Sequence, residues 1–278
     1  MKLYINFFQE DEVRRKFKNL ERVDFSFFQD FRPTSVEQLS KINIFSHQEP
    51  NEYFGHHDWV IENHKLFNLI LTWSDKVLNN CPNAMFQPFG STWLSENQYN
   101  SLFPTEKDFV FSHIRGNLLI AYGHQLRHEI HDRGSEISHP KRFRLTAGIR
   151  EKPWTCAIAK MELFGDAQYG VVIENTSRRG YFTEKIIEMF LLRTIPIYWG
   201  CSNIGDFFDI DGIVAVSNVD DAIRKINSLD INYYASKAVS VEANYHTALR
   251  YTDYLANISN TLERIFRING LLLDNHSG

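Results

Sequence analysis

The densest run of residues able to do chemistry is 169–200, YGVVIENTSRRGYFTEKIIEMFLLRTIPIYWG. It reads as strand, polar loop, helix and strand. Residues 169–174 are continuously apolar up to Glu174, as a strand covered on both faces would be. The loop 175–182 carries Asn175, Arg178, Arg179, Gly180 and Tyr181, and a helix opens at Thr183-Glu184-Lys185. Ile186, Ile187, Phe190 and Leu191 share one face of that helix. A strand–loop–helix unit points unpaired backbone N–H groups and a positive helix end at the loop mouth, where anions bind. Lys185 with Arg178 and Arg179 can add charge-assisted bonds to a diphosphate. Glu184, beside them, can accept bonds from ribose hydroxyls.

The rest of the sequence supplies a frame for such a loop. Apolar, β-branched or aromatic runs at 2–8, 23–28, 42–47, 69–74 and 84–89 predict strands, with a helix over 10–19. Prolines 33, 50, 82 and 88 punctuate the connections. The pattern restarts after residue 104. Residues 109–113 predict a strand and 118–132 a helix closed by Gly134 as its C-cap, then a polar loop over 135–153. Strands at 169–174, 195–200 and 213–216 follow, with helices over 183–193, 220–229 and most of 233–266. Alternating strands and helices predict parallel sheets with covered faces. The expected architecture is α/β, with an N-terminal domain over 1–104 and a second over 105–278. Ligand is expected in a cleft between them, outside the carboxyl ends of the strands.

Composition narrows the function classes. A chain of 278 residues with net charge −4, its basic and acidic residues interspersed, lacks the basic face of a nucleic-acid binder. Three scattered cysteines, Cys81, Cys156 and Cys201, have no CxxC spacing and point to a reducing compartment. No stretch reaches the length of a membrane span and Glu10 follows closely on the N-terminus, so a cytoplasmic location is expected. No GxxxxGK[ST], GxGxxG or GxSxG occurs, which sets aside P-loop, dinucleotide and serine-hydrolase chemistry. His124, His128 and His131 lie at i, i+4 and i+7, and His56, His57 and His64 cluster around Asp58. Neither set has HExxH spacing, so both are read as polar surface and no metal site is expected.

The order ENT-x3-GY-x-TEKI-x4-F-x4-IPIYWG closely resembles the signature of the α1,3/4-fucosyltransferases of glycosyltransferase family 10. Residues 46–54 (SHQEPNEYF) look like that family's Glu-Ser-Pro stretch, and 87–90 (QPFG) is similar to its Pro-(Tyr/Phe)-Gly strand end. The resemblance implies a GT-B fold of two Rossmann-like domains and an inverting, metal-independent transfer of fucose from GDP-fucose to a glycan hydroxyl. It implies that Asn175, Tyr181 and Lys185 contact the diphosphate and Glu184 the ribose, with Arg178 nearby. A basic residue near the start of the second half is also implied; Arg115 is the first choice and Arg127 the second. Glu49 is the candidate catalytic base. The family has one residue between its Glu and the Pro, whereas Glu49 directly precedes Pro50, so Gln48 occupies the matching place and Glu52 is a third alternative.

The expected partners are a nucleotide-sugar donor and a glycan acceptor, with no nucleic acid and no cofactor. A related transferase using another nucleotide sugar, a non-catalytic nucleotide- or sugar-binding module, and an interaction protein on the same scaffold are the competing readings. The amphipathic segment 262–273 is expected to cross back onto the first half; peripheral membrane attachment is the weaker alternative, since Arg264 and Arg267 are its only cations.

Overall fold

The structure, a computed structural model, describes residues 1–101, 106–146 and 153–272. It divides into two compact units: Met1–Phe89 together with the chain from Asp253 onward, and Gly90–Thr252.

In the first unit five parallel strands lie in sequential order: β1 (Lys2–Ile5), β2 (Phe25–Gln29), β3 (Ile42–Ser46), β4 (Leu69–Thr72) and β5 (Ala84–Phe86). Successive side chains of a strand point to opposite faces, and both faces here are buried. Phe25, Phe27, Ile44 and Leu71 pack with Val13, Phe17 and Leu20 on one side. Phe28, Phe45 and Ile70 pack with Val60, Phe67 and Val77 on the other. The first face is completed by the helix Tyr254–Ile268, through Leu255, Ile258, Leu262 and Phe266 at helical spacing. Asp253 caps that helix by accepting from the Ala256 N–H at 2.9 Å. Its other end is stopped by Gly270 at φ +68, where the Gly270 N–H donates to Arg267 O and the Leu271 N–H to Phe266 O. Ile268, expected on the apolar face, therefore stands exposed. Leu273 lies outside the described residues.

In the second unit the strands are β6 (Asp108–Arg115), β7 (Lys141–Leu145), β8 (Ala167–Ile173), β9 (Ile195–Trp199) and β10 (Val214–Ala215), all parallel, in the order β7-β6-β8-β9-β10. The order reverses between β6 and β8. Residues 135–153, expected as a loop, contain β7: Lys141–Leu145 is a half-exposed edge strand whose charged residues disguise it. Arg150 and Lys152 lie outside the described residues. The helix after β6 begins at Tyr122, leaving Leu118, Leu119 and Ile120 exposed, and Gly134 opens a short 3-10 turn instead of capping it.

The division of the chain also differs from the expected one. Residue 104 lies outside the described residues, and the change of unit comes after Phe89. Leu94 and Tyr99 are already in the second unit's core with Phe182, Ile186 and Phe190, and the Trp93 N–H donates to Glu188 at 2.8 Å. The last helix belongs to the first unit, where the segment 262–273 was expected to pack.

Two histidines of the expected 56–64 cluster are interior, not surface, while His64 is half-buried. His47, His56 and His57 are all buried, and the His47 and His57 rings lie 4.8 Å apart. Arg32 donates to Nδ1 of His56 at 3.0 Å, which requires that nitrogen to be unprotonated. Burial, with Arg32 adding to it, lowers the His56 pKa to about 4. Burial likewise lowers His57 to about 4, against the opposing pull of Glu52. A folded pKa below the unfolded value means that the unfolded chain binds more protons between the two, so stability is lost as pH falls from about 6.5 toward 4. Each ring should withdraw on the order of 2–3 kcal/mol over that range. Urea unfolding at pH 7.5 and pH 5 should show the midpoint dropping, and His57→Asn should reduce the difference, His56 supplying the remainder. A wild-type midpoint unchanged across that range would contradict the assignment.

Candidate functional site

In an open parallel sheet the place where strand order reverses leaves a crevice beyond the carboxyl ends of the strands. Here that place is set by β6 and β8, and β8 runs directly into Glu174 and Asn175. Glu174 is fully buried. Its N–H donates to Trp199 O at 2.9 Å, which extends the β8–β9 pairing by one residue. Its carboxylate accepts from the Thr183 N–H at 2.9 Å and the Thr183 hydroxyl at 2.7 Å. The two ends of the loop 174–183 are thereby tied together. Thr183 is also the N-cap of the helix Glu184–Leu191.

Two glycines permit this arrangement. A Cβ on Gly123 would lie 1.8 Å from the carbonyl oxygen of Glu174, and one on Gly200 would lie 2.5 Å from the Glu174 Cγ. With no side chain, Gly123 brings the first turn of the helix Tyr122–Asp132 onto the strand end, and its N–H donates to Asn175 O at 3.0 Å. From the same helix Arg127 reaches across. Its Nε donates to Ile173 O at 2.8 Å and its Nη2 to Asn175 Oδ1 at 2.6 Å. That contact orients the Asn175 amide, leaving its NH2 on the opposite side.

Lys185 stands at the start of the helix Glu184–Leu191, its side chain one-quarter exposed. Its Nζ donates to Glu184 Oε1 at 3.0 Å and Thr183 Oγ1 at 3.1 Å, and lies 3.7 Å from Glu174 Oε2. Burial pushes the Glu184 carboxyl upward, but the Lys185 and Lys160 charges and the bonds from Lys185 and Thr183 outweigh it and hold the pKa at about 2. Glu184 is thus an ionised, acceptor-only group. Glu174 moves the other way: burial raises it, Lys185 opposes, and neighbouring Glu184 adds to the rise. His124, on the helix that carries Arg127, is buried, and burial with the charges of Arg127 and Lys185 lowers it to about 4.

The expected donor-side residues are therefore distributed as follows. Asn175, Glu184 and Lys185 come together around the 174–183 loop. Tyr181 is enclosed by protein at 1% exposure, and Arg178 is exposed on the loop. Arg115 ends β6 and lies 3.9 Å from Asp132; of the two basic candidates, Arg127 is the one that touches Asn175. Glu49 lies in the first unit. Its N–H and that of Gln48 donate to Asp30 Oδ2 at 2.9 and 3.0 Å. The Gln48 side chain is buried and accepts from Gln29 Nε2, so its amide faces inward, and Glu52 is exposed. His124, His56 and His57 are interior residues where a polar surface was expected. Among the described residues, no group of three His, Cys, Asp or Glu could hold a metal ion.

Sequence reasoning passed over Glu188. It sits one turn beyond Glu184 within an otherwise apolar face, and that break in the pattern is the signal. Its carboxylate is fully buried, accepting from Lys160 Nζ at 2.5 Å and the Trp93 N–H at 2.8 Å. Removing one side of a buried ion pair leaves a charge in a poor medium, at a cost of about 3–5 kcal/mol. Glu188→Ala should lower unfolding stability by that amount, and Lys160→Met with Glu188→Leu should recover most of it. A loss below 1 kcal/mol in denaturant titrations would show the pair to be unimportant.

No family model matches the sequence. The α-(1,3)-fucosyltransferase FucT of Helicobacter pylori is 38% identical over 73 residues, which is 25% of this chain and 15% of that protein. The putative fucosyltransferase R654 of Acanthamoeba polyphaga mimivirus is 30% identical over 88 residues, 31% of this chain and 15% of that protein. The matched stretches thus span about one-seventh of these relatives. Among solved structures, an α1,3-fucosyltransferase with GDP-fucose superposes with a TM-score of 0.55 at 17% identity, covering 100% of this chain and 93% of that one. A glycosyltransferase from Rickettsia africae gives 0.51 at 10% identity, covering 98% and 84%. At these identities the structural likeness shows the fold, which is GT-B, each unit carrying its own parallel sheet. The curated relatives are fucosyltransferases, in agreement with the resemblance drawn from the Asn175–Gly200 signature.

Proposed function

We propose that this relative of the α1,3-fucosyltransferases is an inverting glycosyltransferase that moves fucose from GDP-fucose to a hydroxyl of a glycan without needing a metal at the diphosphate. The observation that carries the reading is the cluster at the mouth of β8: Lys185, ionised Glu184 and the oriented Asn175 amide around the start of one helix. Such a cluster offers a diphosphate cationic and N–H donors and offers a ribose an acceptor. The likeness to a fucosyltransferase with GDP-fucose supports the choice of donor.

In this reading Glu49 takes the proton of the acceptor hydroxyl. The freed oxygen forms its bond to the anomeric carbon on the face opposite the diphosphate, and the bond from that carbon to the phosphate oxygen breaks. Lys185 and the helix end stabilise the departing charge, with Arg178 and Arg115 as the outer cations. Fixed donors aimed at developing charge are the usual source of the largest rate contribution. Arg127 enters as the residue that holds Asn175.

Calorimetric titration with GDP, UDP, CMP and TDP, each with and without EDTA, tests the donor. Micromolar binding of GDP, unaffected by EDTA, is expected. Lys185→Ala should weaken GDP binding by about 10- to 100-fold, the loss of one charge-assisted contact, with the fold intact by circular dichroism and thermal stability lowered because Glu174 and Glu184 lose the cation between them. Unchanged GDP affinity in that variant would remove Lys185 from the site. Preference for another nucleotide would keep the fold and replace the donor.

A further inference from the structure

We propose that Asp30 is a positioning residue for Glu49, the buried anchor that fixes the backbone from which the candidate base projects. The inference rests on the reading of Glu49 as base. Asp30 directly follows β2, is fully buried, and holds φ at +44, a left-handed conformation few side chains adopt. It is secured there on both sides: its N–H donates to Ser46 O at 3.0 Å, and its carbonyl accepts from Asn6 Nδ2. From that position one carboxylate oxygen, Oδ2, accepts from the two consecutive N–H groups of Gln48 and Glu49.

The same turn is held at other points. Trp73 Nε1 donates to Gln48 O at 3.0 Å, the Gln48 amide is drawn inward by Gln29, and Pro50 restricts the backbone beyond. The Glu49 side chain leaves from the 48–49 backbone, and both N–H groups of that backbone are held by Asp30. The second oxygen, Oδ1, is buried and has no hydrogen-bond partner among the described residues. Asp is among the few side chains that tolerate a left-handed backbone, and from it the carboxylate reaches two consecutive N–H groups, the geometry of an anchor. Burial also raises its pKa well above the ordinary carboxylate value, against the pull of those N–H groups.

Three variants test this. Asp30→Gly keeps the left-handed backbone free of strain and removes the anchor, Asp30→Asn keeps an acceptor oxygen, and Glu49→Gln removes the base. Misplacing a catalytic group by about an ångström costs on the order of 100-fold. Asp30→Gly should therefore lower kcat for fucosyl transfer about 10- to 100-fold, with GDP affinity and donor KM within twofold of wild type. Asp30→Asn should restore most of the rate. Hydrogen exchange should show the Gln48 and Glu49 amides losing protection in Asp30→Gly and keeping it in Asp30→Asn. Normal kcat or full amide protection in Asp30→Gly, with Glu49→Gln inactive, would overturn the inference alone. So would an Asp30→Asn variant as impaired as Asp30→Gly. Wild-type transfer by Glu49→Gln would overturn the functional reading of Glu49 and the inference with it.

Discussion

One buried carboxylate, Glu174, is the point from which the proposed donor-side loop is built. Its backbone continues β8 against β9, its carbonyl is covered by Gly123, its Cγ lies against Gly200, and its two oxygens hold Thr183. Three elements that are distant in sequence are thus referenced to one residue. Because Thr183 caps the helix that bears Glu184 and Lys185, fixing Thr183 fixes where the ammonium and the ionised acid emerge. A carboxylate removed from water is costly unless its lone pairs are satisfied. Here the satisfying groups are themselves the start of the functional helix, so stability of the loop and placement of its chemistry are the same set of bonds.

The electrostatics of the neighbourhood follow from this. Glu174, Glu184 and Glu188 are three buried acids within one small region, which would repel one another without cations between them. Lys185 separates the first two and Lys160 meets the last. The outcome is asymmetric: Glu184 is held ionised by two lysines, while Glu174 is pushed upward. In the proposed function a negatively charged donor meets a lysine already committed to carboxylates. Binding must exchange part of that pairing for phosphate, with the helix N-terminus as the additional incentive.

The sequence made the strands readable because each is a short run of β-branched and aromatic residues; β2, β3, β4, β8 and β9 fall within a few residues of where the pattern puts them. What it hid was governed by tertiary contact. Lys141–Leu145 reads as a basic loop because an edge strand needs no continuous apolar run. His56 and His57 read as surface because nothing in their spacing reveals that Phe45, Trp73 and Arg32 enclose them. The change of unit at Gly90 was hidden because residues 90–101 attach to the second core through Leu94, Tyr99 and a backbone N–H on Glu188, none of which has a local signature. Arg127 was legible only as a second choice: its spacing puts it on a helix face, but not against Asn175.

The two halves of the proposed reaction differ in legibility for the same reason. Apart from Arg115 and Arg127, the proposed donor-side residues lie within 30 consecutive positions because strand, loop and helix form one local unit, and their order alone carries a recognisable pattern. The Glu49 turn is assembled otherwise. Its N–H groups bond to the end of β2, its Gln48 carbonyl to Trp73 beyond β4, and its proline breaks the family spacing. A position fixed by three strand ends can drift in sequence while keeping its place in space, since the sheet register supplies the geometry. The backbone of the turn is thus placed by contacts to the end of β2 and to Trp73 rather than by its local spacing.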